Sequence, residues 1–348
     1  MKSLKTLALA VAAATILGAT ACAPSTSPGS TESGAPGDSD APSVVLSNSF
    51  IGNAWRKTMV EGVQAAADQA LADGRISSFE VINANGEASE QISQIQAIIL
   101  KQPDVLLVDP ASPTALNGVI DQAVAAGIRV VSFDGNVETD SAYNLAPDWV
   151  GIGEKTAQSV VDNIGGKGNV LGVRGVAGTT IDDGQYQGWL NVLEKNPDVD
   201  LVGEVVGDWD QATAQTAVSS ALSTLPDIDG VFVAGGSYGT AQAFEAAGRD
   251  IPVIYGGGEG VFLKWWQDQV AKDPSYVTES DSSGPSIGTA AFWIGVLLTE
   301  GVEFPKAMPY RTLTITNDNL DEWVEATPLD GIAQEEWNEE KVREVFAE

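Results

Sequence analysis

The chain has 348 residues, 43% of them hydrophobic and 19% charged, a composition that folds into about two domains with cores of ordinary size. Its 48 Asp and Glu against 18 Lys and Arg give a formal charge of −30, which repels phosphate backbones and excludes nucleic acid as a partner. It has no histidine and a single cysteine, Cys22, which removes the Ser-His-Asp and Cys-His nucleophiles, any intramolecular disulfide and any thiolate metal cluster; no cofactor and no metal are expected.

Residues 1–21 read as an export signal, with Lys2 and Lys5 ahead of the apolar stretch Thr6 to Gly18 and small residues after it. The stretch is too short to span a bilayer comfortably. Ala19-Thr20-Ala21-Cys22 resembles the lipobox of bacterial lipoproteins, in which cleavage exposes the cysteine for lipid attachment and anchors the protein to the outer face of the cell membrane. The alternative is a simple Ala19-x-Ala21 cleavage site that leaves a free thiol at the new N-terminus. After Cys22, residues 23–42 hold four Pro, three Gly and five Ser, with no aliphatic side chain beyond Ala; with Cys22 they form a flexible tether over 22–42 that buries no core.

From Ser43 onward, short β-branched runs alternate with Ala-rich helical stretches. The strand-like runs are Val44–Leu46, Phe79–Ile82, Val105–Val108 and Arg129–Phe133, then Asn169–Val173, Leu201–Val206, Gly230–Val233 and Ile251–Tyr255. Helical periodicity marks Trp55–Leu71, Glu90–Lys101, Thr114–Ala126, Thr156–Ile164, Gln185–Glu194, Gln211–Leu225, Thr240–Ala247, Val261–Val270 and Ile287–Leu298. Strands alternating with helices of this length predict an α/β protein of parallel sheets covered on both faces. The series is too long for one sheet and divides near Tyr143–Asp148, giving two doubly wound lobes joined by a multi-strand hinge. The expected boundaries are 43–146 plus 282–312 for the first lobe, 147–281 for the second, and 313–348 for an acidic extension packed on a lobe, with crossings near Pro147, Asp281 and Thr312.

Open α/β sheets bind ligands beyond the carboxyl ends of their strands. The residues there are Asn48, Phe50, Asn53, Trp55 and Arg56 after the first run, and Asp109, Asp134, Asp183, Gln185, Asp208-Trp209-Asp210, Ser237, Tyr238, Glu259 and Asp281 after later ones, with Trp149 beside the division. Indole rings, amides and carboxylates with few cations suit a neutral polyhydroxylated ligand, whose hydroxyls need directed acceptors and whose C–H faces stack on rings. A polar residue after a strand is also an ordinary turn former or helix N-cap. Trp209, flanked by two acids in a loop, is the hardest to explain as core. The turns Ala234-Gly235-Gly236 and Gly256-Gly257-Gly258 read as tight strand-to-helix connections that let backbone approach a ligand.

The stretch from Ser43 to about Thr316 resembles the type I periplasmic sugar-binding proteins, the ribose-binding group that serves ABC importers. The resemblance is carried by Val44-Val45-Leu46-Ser47 with Asn53-Ala54-Trp55, by Asn83 and Asn85, and by Val105-Leu106-Leu107-Val108-Asp109-Pro110. It continues through Ala126-Gly127-Ile128-Arg129-Val130-Val131-Ser132-Phe133-Asp134, Gly175-Val176-Ala177-Gly178-Thr179 and Gly207-Asp208-Trp209-Asp210. It implies a monomeric hinge protein that closes on a monosaccharide or polyol and docks on an ABC permease with its ATPase. It also implies ligand contacts from Asn53, Trp55, Asp134 and Trp209. The chain departs from the family pattern where Gly135 and Gln185 replace arginines, Gly236-Ser237 an Asn-Asp pair, and Gly257-Gly258 an Asp-Gly. Arg56 and Glu259, within two positions of the lost groups, are the expected substitutes.

Gly151-Ile152-Gly153-Glu154-Lys155-Thr156 imitates a phosphate-binding loop but lacks the Gly before Lys. A glycoside hydrolase would need two carboxylates at a fixed separation, and the spacing of Asp134, Asp183, Asp208 and Glu259 fixes none. A sensor that presents the same ligand to a membrane receptor is the other alternative. The stretch from Asn317 to Glu348 places Leu320, Trp323, Val324, Trp337, Val342, Val345 and Phe346 on helical stripes beneath an acidic face.

Overall fold

The computed structural model describes residues 41–348; the signal segment, Cys22 and the tether as far as residue 40 lie outside them. The first lobe is laid down in chain order as β1 (Ser43–Asn48), α1 (Ala54–Ala72), β2 (Ser78–Asn83), α2 (Ala88–Lys101), β3 (Val105–Asp109), α3 (Asn117–Ala125), β4 (Arg129–Phe133) and β5 (Tyr143–Ala146). Every strand pair here is parallel. β3 is buried along its whole length, as expected of a strand covered by helices on both faces.

The chain then enters the second lobe with α4 (Trp149–Asn163), β6 (Gly168–Arg174), α5 (Thr180–Leu193), β7 (Val199–Val206), α6 (Gln211–Leu222), β8 (Gly230–Val233), α7 (Ser237–Ala247), β9 (Val253–Ile254) and α8 (Gly260–Lys272). Its sheet runs β7-β6-β8-β9, again parallel throughout. β10 (Glu279–Ser282) leads back to α9 (Ile287–Thr299), an almost wholly apolar helix buried among the first lobe's β1, β3 and β4 side chains. β11 (Ala307–Pro309) then joins β5 at the edge, giving the first sheet the order β11-β5-β4-β3-β1-β2. β12 (Leu313–Thr316) pairs antiparallel with β10 in a two-stranded ladder of its own, so the expected crossings at Asp281 and Thr312 fall in or beside that ladder.

The acidic extension does not settle on one lobe. Ile315, Leu320 and Ala333, around α10 (Leu320–Ala326), join the second lobe's core, whereas Trp337, Val342 and Phe346, around α11 (Glu339–Phe346), join the first lobe's core. Two helix starts differ from the sequence reading by more than a turn: α4 begins at Trp149 instead of Thr156, and α5 at Thr180 instead of Gln185. The phosphate-loop imitation therefore lies inside α4. Its Gly153 is there for packing, since a Cβ would sit 2.1 Å from the Gln185 carbonyl oxygen on α5.

Candidate functional site

In the first sheet the strand order reverses between β1 and β3, and in the second between β6 and β8; the loops beyond these points face the cleft. Beyond β1, Asn53 caps α1, its side-chain oxygen accepting the Arg56 N–H at 2.8 Å. This turns the Arg56 side chain inward, where its guanidinium lies 5.1 Å from the Phe50 ring centre and 5.3 Å from that of Trp55. The guanidinium forms an ion pair with Asp109, whose side chain is fully buried, and donates to the Asn48 amide oxygen at 3.3 Å. Asn48 is held in turn by donating to the Asn83 side-chain oxygen at 2.8 Å.

Asp134 follows β4 with φ of 64°, a left-handed conformation that a non-glycine residue adopts at a cost. Its carbonyl oxygen accepts the Trp149 indole N–H at 2.9 Å, joining the end of β4 to the first turn of α4. Its carboxylate is buried, and Oδ1 has no hydrogen-bond partner. Burial pushes the Asp134 carboxyl up to about 6, with the Arg56 charge acting in the opposite direction. Burial likewise lowers Arg56 to about 10, against the pull of Asp134.

From the second lobe, Asp208 and Trp209 follow β7 with φ of 52° and 55°. The Trp209 indole lies on two glycines: a Cβ on Gly175 would meet its Nε1 at 2.1 Å, and one on Gly235 its Cδ1 at 3.0 Å. Glu259, just before α8, folds over Gly257. Its Oε1 accepts from the Gln211 amide at 3.3 Å and the Gly236 N–H at 3.2 Å, and its buried Oε2 accepts from nothing. Burial raises this carboxyl above the usual range, opposed by the backbone N–H of Glu259 itself, that of Gly236, the Gln211 amide and the Ser237 N–H. At the hinge ladder, Asp281 Oδ1 accepts from Lys155 Nζ at 2.7 Å and Thr314 Oγ1 at 2.8 Å, while its buried Oδ2 is unpartnered.

These groups converge on a cavity of about 310 Å³ lined by Asn53, Trp55, Arg56, Asp134, Trp149, Gln185, Trp209, Glu259 and Asp281 among others. A second cavity of about 350 Å³ lies across Arg56, Ile181 and Trp209, which line both, and Phe50 lines this one. The other sequence candidates stand elsewhere. Asn48 is fully buried behind Arg56, where it positions the guanidinium and lines neither cavity. Asp183 points to solvent, with its side chain 67% exposed, because α5 starts early enough to place it one residue past the inward-facing Asp182. Asp182 is the buried acid, accepting from Arg174 and from the Gly175 N–H at 2.8 Å. Ser237 is buried at the start of α7, its hydroxyl accepting the Gly257 N–H at 3.1 Å, and Tyr238 packs on the second lobe's core.

Sequence reasoning missed Gln211, which lines the cavity and ties Glu259 to the Gly239 N–H, accepting the latter at 2.7 Å. Its signal was its place immediately after Asp208-Trp209-Asp210. Among the described residues, no group of three or more acidic or sulfur side chains is arranged to hold a metal ion. The lining offers carboxylate acceptors and flat ring faces, the combination that orients hydroxyls and stacks on C–H surfaces.

Two parallel-sheet lobes, a hinge ladder and a ring-and-carboxylate cleft between the strand ends define a type I periplasmic-binding-protein fold. The sequence matches the periplasmic binding protein domain over residues 44–301, and the chain belongs to that family. It is 28% identical to a xylitol-binding protein of Mycolicibacterium smegmatis over 250 residues, 70% of each chain. It is 26% identical to a ribose import binding protein of Bacillus subtilis over 212 residues, 60% of this chain and 67% of the other. The crystal structure of an ABC transporter solute binding protein from Thermobispora bispora matches 87% of this chain and 94% of its own at 40% identity, with a TM-score of 0.82.

Proposed function

We propose that the protein is the extracytoplasmic substrate-binding component of an ABC importer and takes a monosaccharide or polyol between its lobes. The observation that carries this reading is the cavity in which Trp55, Trp149 and Trp209 supply ring faces while Asp134, Glu259 and Asp281 present carboxylates. A ligand that touches both lobes favours the closed state by its differential affinity for it. The closed form then docks as a monomer on a permease served by an ATPase. The names of the relatives are those of binding proteins, which supports a role without catalysis. Residues 1–21 act as the export signal, and lipid on Cys22 anchors the protein to the outer face of the cell membrane.

The test is thermal unfolding against pentoses, hexoses, deoxy sugars, polyols and nucleosides, followed by calorimetric titration of any hit. Ligand at a hundred times its dissociation constant should stabilise the protein by about 2.7 kcal/mol, a shift of several degrees. A hit among the sugars or polyols supports the reading. Silence across them from a folded protein overturns it. Mass spectrometry of the membrane fraction tests the anchor, which predicts a diacylglyceryl mass on the Cys22 peptide.

A further inference from the structure

We infer that the sugar or polyol taken by this cleft carries a protonated nitrogen, so that the ligand class is an amino sugar, an imino sugar or an amino polyol. This rests on the reading of the cleft as a sugar or polyol site and narrows it. The first observation is the imbalance of charge in the lining. Asp134, Glu259 and Asp281 line one cavity with Asp210, whose carboxylate caps α6, and Arg56 is the single cationic side chain among its lining residues, its charge divided between Asp109 and Asp134. Lys155 forms an ion pair with Asp281 at the oxygen that Thr314 also reaches, and the Tyr255 hydroxyl lies beside the same carboxylate, so the uncompensated charge in the lining is centred on Glu259 and Asp134.

The second observation is where the bare acceptors lie. Asp134 Oδ1, Glu259 Oε2 and Asp281 Oδ2 are each buried without a partner, and they come from three separate elements: the end of β4, the turn before α8, and β10. The Asp134 side chain belongs to a residue only 4% exposed, and that of Asp281 is 3% exposed. An unpaired buried carboxylate is costly, and in Glu259 the companion oxygen holds only neutral N–H donors, which leaves its bare oxygen as an acceptor still to be filled; in Asp281 the companion oxygen holds the Lys155 ammonium and the Thr314 hydroxyl, which leaves Oδ2 as an acceptor on an ion-paired group. A neutral hydroxyl supplies one donor and no charge. An ammonium group supplies up to three donors and cancels the charge, and its flanks are attracted to ring faces. Trp55, Trp149 and Trp209 line the same cavity.

The experiment is calorimetric titration near neutral pH and physiological salt with matched sets. Glucose, galactose and mannose are compared with glucosamine, galactosamine and mannosamine and with the N-acetyl derivatives of these, xylitol with 1-amino-1-deoxyxylitol, and 1-deoxynojirimycin is added as an imino sugar. The expected result is that at least one amine binds about tenfold or more tightly than both its neutral parent and its amide, with an affinity that falls as salt is raised. Glu259→Gln and Asp281→Asn, each checked for an unchanged unfolding transition and circular dichroism spectrum, should each shrink that gap to within about threefold, the amine losing more affinity than its neutral parent. If the neutral parents match or exceed their amines throughout, the inference is overturned and the sugar-binding function stands. If nothing in the sets binds, both are overturned.

Discussion

The Trp209 indole rests on the Cα of Gly175, so close that a methyl group there would lie 2.1 Å from Nε1. The ring is thus set by what its neighbour lacks. Together with Gly235 under its other edge, Gly175 fixes a left-handed loop that puts an aromatic face between the two cavities. Gly175→Ala should displace the ring and weaken binding of the panel's best ligand by about tenfold or more, comparable to the loss of one desolvated contact. The double variant Gly175→Ala with Trp209→Ala should bind no worse than Trp209→Ala alone, because the glycine acts through the indole. Additive losses in titration would show that Gly175 has a role of its own.

Asp134 gives the binding a defined pH dependence. Its folded-state pKa is raised by burial to about 6, against the Arg56 charge, and a ligand donating to the carboxylate needs it ionised. Affinity should be level above neutrality and fall by up to about tenfold per pH unit below 6. In the ligand-free protein the sign for stability is the reverse. A raised carboxyl contributes stability that is present below its unfolded value near ~3.9 and lost as pH rises through about 6. Asp134→Asn should therefore bind weakly and lose the step near pH 6 from its profile. Its unfolding midpoint should gain on the parent's between acid and neutral pH. A parent profile that stays flat from pH 5 to about 8 would contradict this account.

The strand and helix alternation was legible from Ser43 to Lys272, because the parallel strands other than β5 are short runs that carry Val or Ile and the helices carry apolar stripes. The early start of α4 was not. Gly151 and Gly153 look like helix breakers, and the use of Gly153 emerges only when α5 is placed against it, where Gly153, Gly184 and Gly188 leave no room for a Cβ. Starting α5 late on the sequence pattern points to Asp183 in place of Asp182, since one residue along a helix turns a side chain by about 100°. The Gly-rich turns after β8 and β9 suggest approaches for a ligand, but Gly235 makes room for Trp209 and Gly257 for Glu259. Of the cavity-lining acids, Asp134, Asp210 and Glu259 follow strands and Asp281 lies within β10, while the Arg56–Asp109 pair beneath them depends on three-dimensional register between β1 and β3.

That pair makes a stability prediction. Both side chains are essentially excluded from solvent, at 5% and 0% exposure, so removing Arg56 leaves Asp109 charged and unmatched, and removing Asp109 leaves Arg56 with Asp134 alone. Asp109→Asn or Arg56→Met alone should cost roughly 3–5 kcal/mol in denaturant unfolding, whereas the double replacement Arg56→Met with Asp109→Leu should recover most of that loss. The double variant should still lose ligand binding, because Arg56 lines both cavities and carries the rings of Phe50 and Trp55 against it. Stability and binding would then separate between the single and double variants. A double variant as unstable as the singles would show that the site cannot repack without its charges.

The returning C-terminus sets apolar burial against ion pairing at a single location. After covering the second lobe through Leu320 and Ala333, the chain brings Trp337 and Phe346 to the first lobe's core. The two rings stack at 5.2 Å, and Trp337 lies 5.4 Å from Tyr310. At the edge of the same contact, Arg75 pairs with Glu300 and Glu339, with all three side chains between 24% and 37% exposed. Exposed pairs of this kind contribute about 0–1 kcal/mol, whereas truncating a large buried aromatic costs about 3–5 kcal/mol. Trp337→Ala should therefore lower the unfolding free energy several times more than Arg75→Ala, and raising salt should narrow the difference between Arg75→Ala and the parent without changing the effect of Trp337→Ala. Equal losses from the two substitutions would mean that the ion pairs, and not the rings, hold the C-terminal helix against the first lobe.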